Sequence, residues 1–131
     1  MAEPMDVELV SPERILFSGE AEMVIARTAG GDIAFMTGHA PFLGELGIGE
    51  VRIHLTGGGE ERAAVHGGFV QVNNDRVIIL SDVAELSSQI DVERARQAEE
   101  RAQRASDELD EAEREAALRR ARVRLQVARA A

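Results

Sequence analysis

Apolar and polar residues alternate in several short runs over the first two thirds of the chain. In Val51-Arg52-Ile53-His54-Leu55 the alternation puts three apolar side chains on one face and two polar ones on the other, which is typical of a half-buried antiparallel strand. Turn signals separate the runs at Thr56-Gly57-Gly58-Gly59 and Asn73-Asn74-Asp75. Many short strands without intervening helices predict a β-sandwich or a flattened barrel. The predicted strands are Met5 to Val10, Glu20 to Arg27, Val51 to Leu55, Arg62 to Val65, Gly68 to Val72 and Val77 to Leu80.

Residues 91–131 follow a helical period instead, with apolar residues recurring at spacings of three and four in two stripes. Because both stripes are mostly alanine, two such helices can pack closely as an antiparallel hairpin, but each buries little apolar area. Asp91 is a favourable N-cap for the first helix, and Ser106-Asp107 is the predicted end of that helix and cap of the second. The stripes consist of Val92, Ala95, Ala98, Ala102 and Ala105, and of Leu118, Ala121, Leu125 and Ala128.

No glycine or proline interrupts residues 91–131, so one continuous helix about 60 Å long is also permitted. The sequence does not choose between a hairpin and a rod. An element that can adopt two arrangements is a physical basis for a switch. The whole pattern predicts an α+β protein. It has an N-terminal antiparallel β-sandwich over residues 1–86, followed by a C-terminal two-helix hairpin over residues 87–131.

Charge is divided unevenly between these two parts. Residues 1–90 hold 14 acids and 5 arginines and residues 91–131 hold 10 of each, so the net charge of −9 falls on the strand-rich part. That charge, together with an aromatic content of 3%, argues against nucleic acid as a partner. All 15 cationic residues are arginine, which excludes the phosphate-binding lysine of a P-loop, and cysteine is absent, which excludes disulfides and thiolate metal sites.

The same inventory argues against several other functions. No apolar run approaches the roughly 20 residues of a membrane-spanning helix, and Met1-Ala2-Glu3-Pro4 lacks the basic start of a signal peptide, so we expect a cytoplasmic protein without direct membrane insertion. No residues lie at a catalytic-triad or metal-ligand spacing, so we expect neither catalysis nor a bound metal. Gly44-x-x-Gly47-x-Gly49 is interpreted as a turn, and His54 and His66 as strand-surface and turn residues.

Six motifs occur in the order and spacing of one known family. They are Glu8-x-x-x-Ser11-Pro12-Glu13, Phe17-Ser18-Gly19-Glu20, Gly38-His39-Ala40-Pro41-Phe42-Leu43, Gly67-Gly68-Phe69-Val70-x-Val72, Ile79-Leu80-Ser81-Asp82 and Ile90-Asp91-x-x-Arg94-Ala95. With a helical tail of matching length, they make the chain resemble the epsilon subunit of a bacterial F-type ATP synthase. The resemblance implies a non-catalytic central-stalk subunit that requires no cofactor and lies in the complex at the cytoplasmic face of the cell membrane.

The resemblance also implies partners for the β-rich part. The turn containing His39 is the implied contact with the gamma subunit, and Asp32 occupies the position that faces the membrane c-ring. Through these contacts the subunit would couple rotation of the c-ring and gamma to ATP synthesis. The chain departs from the family pattern nearby, since Ala34, Phe35 and Thr37 replace a glycine, an aliphatic residue and a proline.

ATP is the implied regulatory ligand, as in the nucleotide-sensing members of the family. Arg94 and Arg101 are seven residues apart, so they share a helix face about 10.5 Å apart along the axis, and guanidinium groups bind phosphate oxygens in a forked geometry. One further arginine of the family pattern is missing, because Glu113 occupies its position. The matching ATP-binding positions are Glu85, Asp91, Arg94, Ala95, Arg101, Arg120 and Arg124.

The end of the tail is basic: residues 119–129 hold five arginines and no acid. This order of charge complements the helix dipole. By resemblance, the basic end of an extended tail would also meet the catalytic alpha and beta subunits and inhibit ATP hydrolysis, whereas ATP would favour the compact hairpin. The implied inhibitory residues are Arg119, Arg120, Arg122 and Arg124. Two alternatives stay open: a purely structural coupling subunit without nucleotide sensing, and a stand-alone nucleotide-sensing module.

Overall fold

The structure is a computed structural model and describes residues 3–105 and 110–129. Within these ranges, seven strands are followed by one turn of 3-10 helix at Ser87–Gln89 and by two α-helices. The strands are β1 (Met5–Val10), β2 (Ile15–Thr28), β3 (Gly31–Phe35), β4 (His39–Leu55), β5 (Glu60–Asn74), β6 (Arg76–Ser81) and β7 (Ala84–Leu86). The helices are α1 (Val92–Arg104) and α2 (Glu111–Arg129).

The strands close into a flattened, sandwich-like barrel. Its ring runs β1-β6-β5-β4-β2, and β2 pairs back with β1, while β3 is added at β2 and β7 at β5. Within residues 3–105 the β1–β6 pairing is parallel and the other six are antiparallel. Apolar side chains fill the interior, the largest fully buried ones being Phe35, Met5, Leu9, Ile53 and Ile79. The predicted α+β architecture is confirmed, whereas the division at residues 86 and 87 into two domains stays a prediction.

All six predicted strands lie within observed strands, two of them in the single strand β5, but the alternation pattern missed β3, β7 and residues 39–50 of β4. The turn interpretation of residues 44–49 was wrong, because these residues lie inside β4. A Cβ atom at Gly44 would stand 2.6 Å from the Phe42 ring, and one at Gly49 would stand 2.7 Å from the Cβ of Arg27. The glycines therefore make room for neighbouring side chains within one continuous strand.

Helices α1 and α2 pack against each other as a hairpin in this structure and do not form a rod. The buried residues of the two predicted stripes are Ala95 and Ala102 on α1 and Leu118, Ala121 and Leu125 on α2. An aspartate caps α2, because the Oδ1 of Asp110 accepts a hydrogen bond from the backbone N–H of Glu113 at 2.8 Å. The predicted cap at Ser106-Asp107 lies outside the described residues.

The hairpin docks on the outside of the barrel through α2. One small apolar cluster makes the contact, and no described residue of α1 belongs to it. Its members are Ala64, Ile90, Val123 and Val127, with Ile48 and Ala128 packed against them. Because apolar burial stabilises by only about 25 cal/mol per Å², side chains of this size hold the hairpin weakly. The apolar contact between the hairpin and the barrel is therefore small.

Candidate functional site

A cleft of about 670 Å³ opens between α1 and α2. Small-molecule sites usually have volumes of about 300–1,000 Å³, so the cleft is large enough for a nucleotide. Five alanines and four arginines line it, with Gln97 and Glu100 completing the lining. The alanines are Ala98, Ala102, Ala105, Ala117 and Ala121, and the arginines are Arg101, Arg104, Arg120 and Arg124. Guanidinium groups beside apolar side chains suit a ligand with phosphate groups and a flat ring.

The cleft brings together three of the seven predicted ATP-binding residues, Arg101, Arg120 and Arg124. The other four lie outside its lining: Glu85, Asp91, Arg94 and Ala95. Two of these have structural roles. Asp91 caps α1 by accepting a hydrogen bond from the backbone N–H of Arg94 at 3.1 Å, and Ala95 is buried on α1. Of the predicted ATP-binding residues, the cleft therefore contains only those furthest along the chain.

Glu85 reaches the cleft indirectly, through Arg124. The Nε of Arg124 donates to the Oε1 of Glu85 at 2.5 Å, and this half-buried pair joins α2 to β7. A phosphate group in the cleft would compete with Glu85 for the same guanidinium. Glu85 thus fixes the position of Arg124 beside the cleft.

The four arginines predicted to inhibit hydrolysis have different surroundings in the docked hairpin. The Nε of Arg122 donates to the Oε2 of Glu99 on α1 at 3.2 Å, and Arg124 is paired with the β7 carboxylate. Arg120 lines the cleft, and Arg119 lines a polar groove between α2 and strands β2 to β4. Carboxylates of the same chain therefore neutralise two of the four charges in this conformation.

His66 is a buried polar residue that the sequence interpretation placed wrongly, because it lies within β5 and not at a turn. Only 8% of its surface is exposed, and neither ring nitrogen has a hydrogen-bond partner among the described residues. Burial and the positive charge of Arg124 lower the pKa of the imidazole to about 4. The alternation of residues in a strand could have indicated this burial, since position 66 shares a face with Ala64, which packs under α2.

Asp32, the predicted c-ring contact, lies in β3 at the edge of the barrel. Its Oδ1 stands 3.6 Å from the Nη1 of Arg27, and both side chains are mostly exposed. An exposed pair of this kind contributes about 0–1 kcal/mol, so Asp32 is available to a partner at little cost in stability.

His39, the predicted gamma contact, is the first residue of β4 and closes the turn before it. Its backbone N–H donates to the carbonyl of Met36 at 3.1 Å. Its ring meets the Phe35 ring edge-on, with centroids 5.1 Å apart. The predicted turn is present, and the side chain also packs against the end of the barrel core.

Large apolar side chains are exposed on neighbouring strands of the barrel. Phe69 on β5 lies directly opposite Leu80 on β6, and Val10 on β1 pairs with Leu80 on one side and Ile15 on the other. On β4 the residue opposite Phe69 is Glu45, and Leu43, which is 71% exposed, lies two residues before it. Exposed apolar side chains grouped in this way favour an interaction surface. We call Ile15, the half-buried Val10, Leu80, Phe69 and Leu43 the apolar row.

Neither a metal-binding cluster nor a membrane-spanning helix occurs among the described residues. In the part of the chain that the structure describes, no three histidine or carboxylate side chains are grouped so as to hold a metal ion. Within residues 3–105 and 110–129, neither helix combines the length and apolarity needed to cross a membrane. The expectation that no metal is bound stays a prediction.

Comparison with known proteins defines the class of this barrel. The family described as the ATP synthase delta/epsilon chain β-sandwich domain matches residues 4–87. A chain in the cryo-EM structure of the Euglena gracilis mitochondrial ATP synthase, OSCP/F1/c-ring in rotational state 1, superposes with a TM-score of 0.81 at 25% identity. The superposition covers 95% of this chain and 81% of that chain.

Two relatives cover nearly the whole chain. The ATP synthase epsilon chain of Streptomyces griseus is 48% identical over 125 residues, which is 95% of each chain. The ATP synthase epsilon chain of Thermobifida fusca is 51% identical over 128 residues, covering 95% of this chain and 91% of the relative. The chain therefore belongs to the epsilon chain family of F-type ATP synthases, a non-catalytic subunit of that complex, as its motifs indicated.

Proposed function

We propose that this epsilon chain couples gamma and c-ring rotation to ATP synthesis in a proton-translocating enzyme and inhibits ATP hydrolysis through its C-terminal helices. It works at the cytoplasmic face of the cell membrane as a peripheral part of the complex. ATP binding in the cleft favours the docked hairpin and so limits inhibition. The observation that carries this proposal is the weakly docked hairpin with a cleft lined by arginines, because a ligand that needs both helices stabilises only the compact form.

The apolar row supports docking of the barrel on the gamma subunit. Burial of large apolar side chains is the main favourable term in association, and four of the five are exposed in the isolated chain, namely Ile15, Leu80, Phe69 and Leu43. Asp32 and His39 supply the proposed contacts with the c-ring and gamma, respectively. The Euglena neighbour was solved in an assembly with F1 and the c-ring, which supports a place for this chain beside both.

Phe69→Asp tests the gamma surface. The charge has to be desolvated in the middle of the apolar row, so we expect affinity for an assembled alpha-beta-gamma core lacking epsilon to fall at least about 30-fold, the loss typical of a binding hot spot. Biolayer interferometry with the purified core measures this. Thr56→Asp, which adds the same charge in an exposed hairpin turn, is the matched control. Wild-type affinity of Phe69→Asp would remove the apolar row from the gamma contact.

The inhibitory role is tested with arginines that lie outside the ATP cleft. Arg119→Gln combined with Arg122→Gln is expected to raise the ATP hydrolysis rate of the reconstituted enzyme, because it removes two charges that meet the catalytic subunits. Glu99→Gln is the complementary variant, because it removes the partner of Arg122 in the docked hairpin. It should favour release of the helices and so lower the hydrolysis rate. Steady-state hydrolysis at fixed ATP measures both.

The two variants also separate the alternatives. A purely structural coupling subunit leaves hydrolysis unchanged in both cases. If both variants shift hydrolysis in the same direction, these arginines act on docking alone and not on the catalytic subunits.

A further inference from the structure

His66 owes its burial to the docked hairpin and not to the barrel core. It lies opposite Ile48 in the β4–β5 register, and position 66 shares the outer face of β5 with Ala64. Ile48 and Ala64 both belong to the small cluster that packs against Val123 and Val127 of α2. Helix α2 therefore covers the imidazole, and removal of α2 exposes it to water.

The charges around His66 are unfavourable for a proton. Helix α2 brings Arg124 and Arg120 towards the ring, and β7 brings Glu85, whose carboxylate is already paired with Arg124. Strands β4 and β5 present uncharged Ile48 and Ala64 next to the ring. The charged residues further along the same face, Glu50 and Arg62, are paired with each other at 3.2 Å. A protonated imidazole would therefore carry a positive charge into an apolar contact beside two guanidinium groups, with neither N–H bonded to a described residue.

We propose that the docked hairpin is sensitive to acid through His66: protonation of the ring opposes docking of α2 on the barrel, so falling pH releases the C-terminal helices. The proposal rests on the proposed function only for the consequence of release, which is exposure of the inhibitory arginines. Docking itself is a property of the isolated chain. Acidification would then strengthen inhibition without any change in nucleotide.

Proton linkage determines the direction and the size of the effect of pH on docking. Docking lowers the pKa of His66 to about 4, whereas an exposed histidine titrates near about 6.5, so the released form binds the proton more readily. The contribution of neutral His66 to docking is complete above about pH 6.5 and is lost as the pH falls towards 4. Between pH 7.5 and pH 5.5 the docking equilibrium constant should fall about tenfold.

Hydrogen exchange of the α2 amides in the full chain tests this, with rates corrected for the intrinsic effect of pH. Exchange reports the opening equilibrium even when the docked form dominates. In the wild type we expect α2 protection to fall about tenfold from pH 7.5 to pH 5.5. In His66→Gln the fall should be less than about twofold, because glutamine does not titrate. His54→Gln is the matched control, a histidine of the same barrel lying opposite Glu60 in the β4–β5 register, and should respond like the wild type.

An NMR titration of the wild-type histidine resonances keeps the test independent of any variant. His66 should titrate far below the range of an exposed histidine while α2 stays protected. The proposal is overturned if His66 titrates near 6.5 with α2 still docked, if wild-type protection is equal at the two pH values, or if His66→Gln keeps the full response. None of these readouts involves ATP or the assembled enzyme, so failure of the proposed function would show separately, in nucleotide titrations and hydrolysis rates.

Discussion

Gly68→Ala is expected to destabilise the barrel by about 3 kcal/mol and to lower its melting temperature by about 10 °C. Gly68 has φ +124°, a conformation that side chains with a Cβ rarely adopt. A Cβ here would also stand 2.1 Å from the carbonyl oxygen of Leu80 and 2.8 Å from the Cα of Ser81. Those atoms belong to the backbone of β6, so they cannot move aside without opening the β5–β6 pairing.

The control for Gly68→Ala separates the clash from the backbone strain. Gly58 has φ +108° but no heavy atom within 4 Å of a built Cβ, so Gly58→Ala should cost only the conformational part, about 1–2 kcal/mol. Chemical denaturation followed by circular dichroism measures both variants. Equal losses for the two would mean that the close approach of β6 contributes nothing to the requirement for glycine in Gly67-Gly68-Phe69.

Arg101→Gln and Arg120→Gln are each expected to weaken ATP binding by about 10–100-fold, because each removes a charge-assisted hydrogen bond worth about 1.5–3 kcal/mol. Both side chains line the cleft, one from each helix, so the loss should appear in both variants. Isothermal titration calorimetry of the full chain with ATP, and with ADP for comparison, measures the effect. Arg129→Gln changes an arginine of α2 outside the cleft and should leave the affinity unchanged.

Arg94→Gln tests whether the bound nucleotide extends from the cleft towards the start of α1. Arg94 lies outside the cleft lining and about 10.5 Å along α1 from Arg101, so a loss smaller than that of the cleft variants is expected. A larger loss for Arg94→Gln would place ATP over the start of α1, where Asp91 already serves as a cap. Unchanged affinity in Arg101→Gln and Arg120→Gln together would remove the cleft as the ATP site.

Arg124 connects the proposed nucleotide, pH and inhibitory functions. Its guanidinium pairs with Glu85, its side chain lines the cleft, and its positive charge lowers the pKa of His66. A phosphate group that engages Arg124 would add negative charge near His66, whereas loss of α2 docking would free Arg124 for another carboxylate. The docking contact is therefore the place where nucleotide and proton would act on the same equilibrium.

One departure from the family pattern has a structural explanation. Phe35, which replaces an aliphatic residue, is among the largest fully buried side chains of the barrel. Its ring lies 5.5 Å from that of Phe42 and 5.1 Å from that of His39, centroid to centroid. Phe35 therefore fills the core at the end where His39 begins β4. For Ala34, which replaces a glycine, the structure gives no comparable reason.

Periodicity and motifs in the sequence were sufficient for the fold class and the family. Alternation located the strands because a half-buried strand must present apolar side chains at every second residue, as in Val51 to Leu55. Alanine spacing and Asp91 located the first helix because stripe and cap are both local features. The apolar row also had a signal, since Val77-Ile78-Ile79-Leu80 is apolar on both faces, although that signal was not interpreted.

The tertiary structure alone decided the features on which regulation depends. Within α1 and α2, a hairpin and a rod have the same helical hydrogen bonds, and the choice between them rests on contacts such as those of Val127 in the cluster with Ala64, about half the chain apart. The burial of His66 and the pairing of Arg124 with Glu85 follow from that docking, and the cleft follows from the packing of α1 against α2. Such contacts join residues distant in the sequence, so no local period encodes them, and their small area is what leaves them open to ligand and proton.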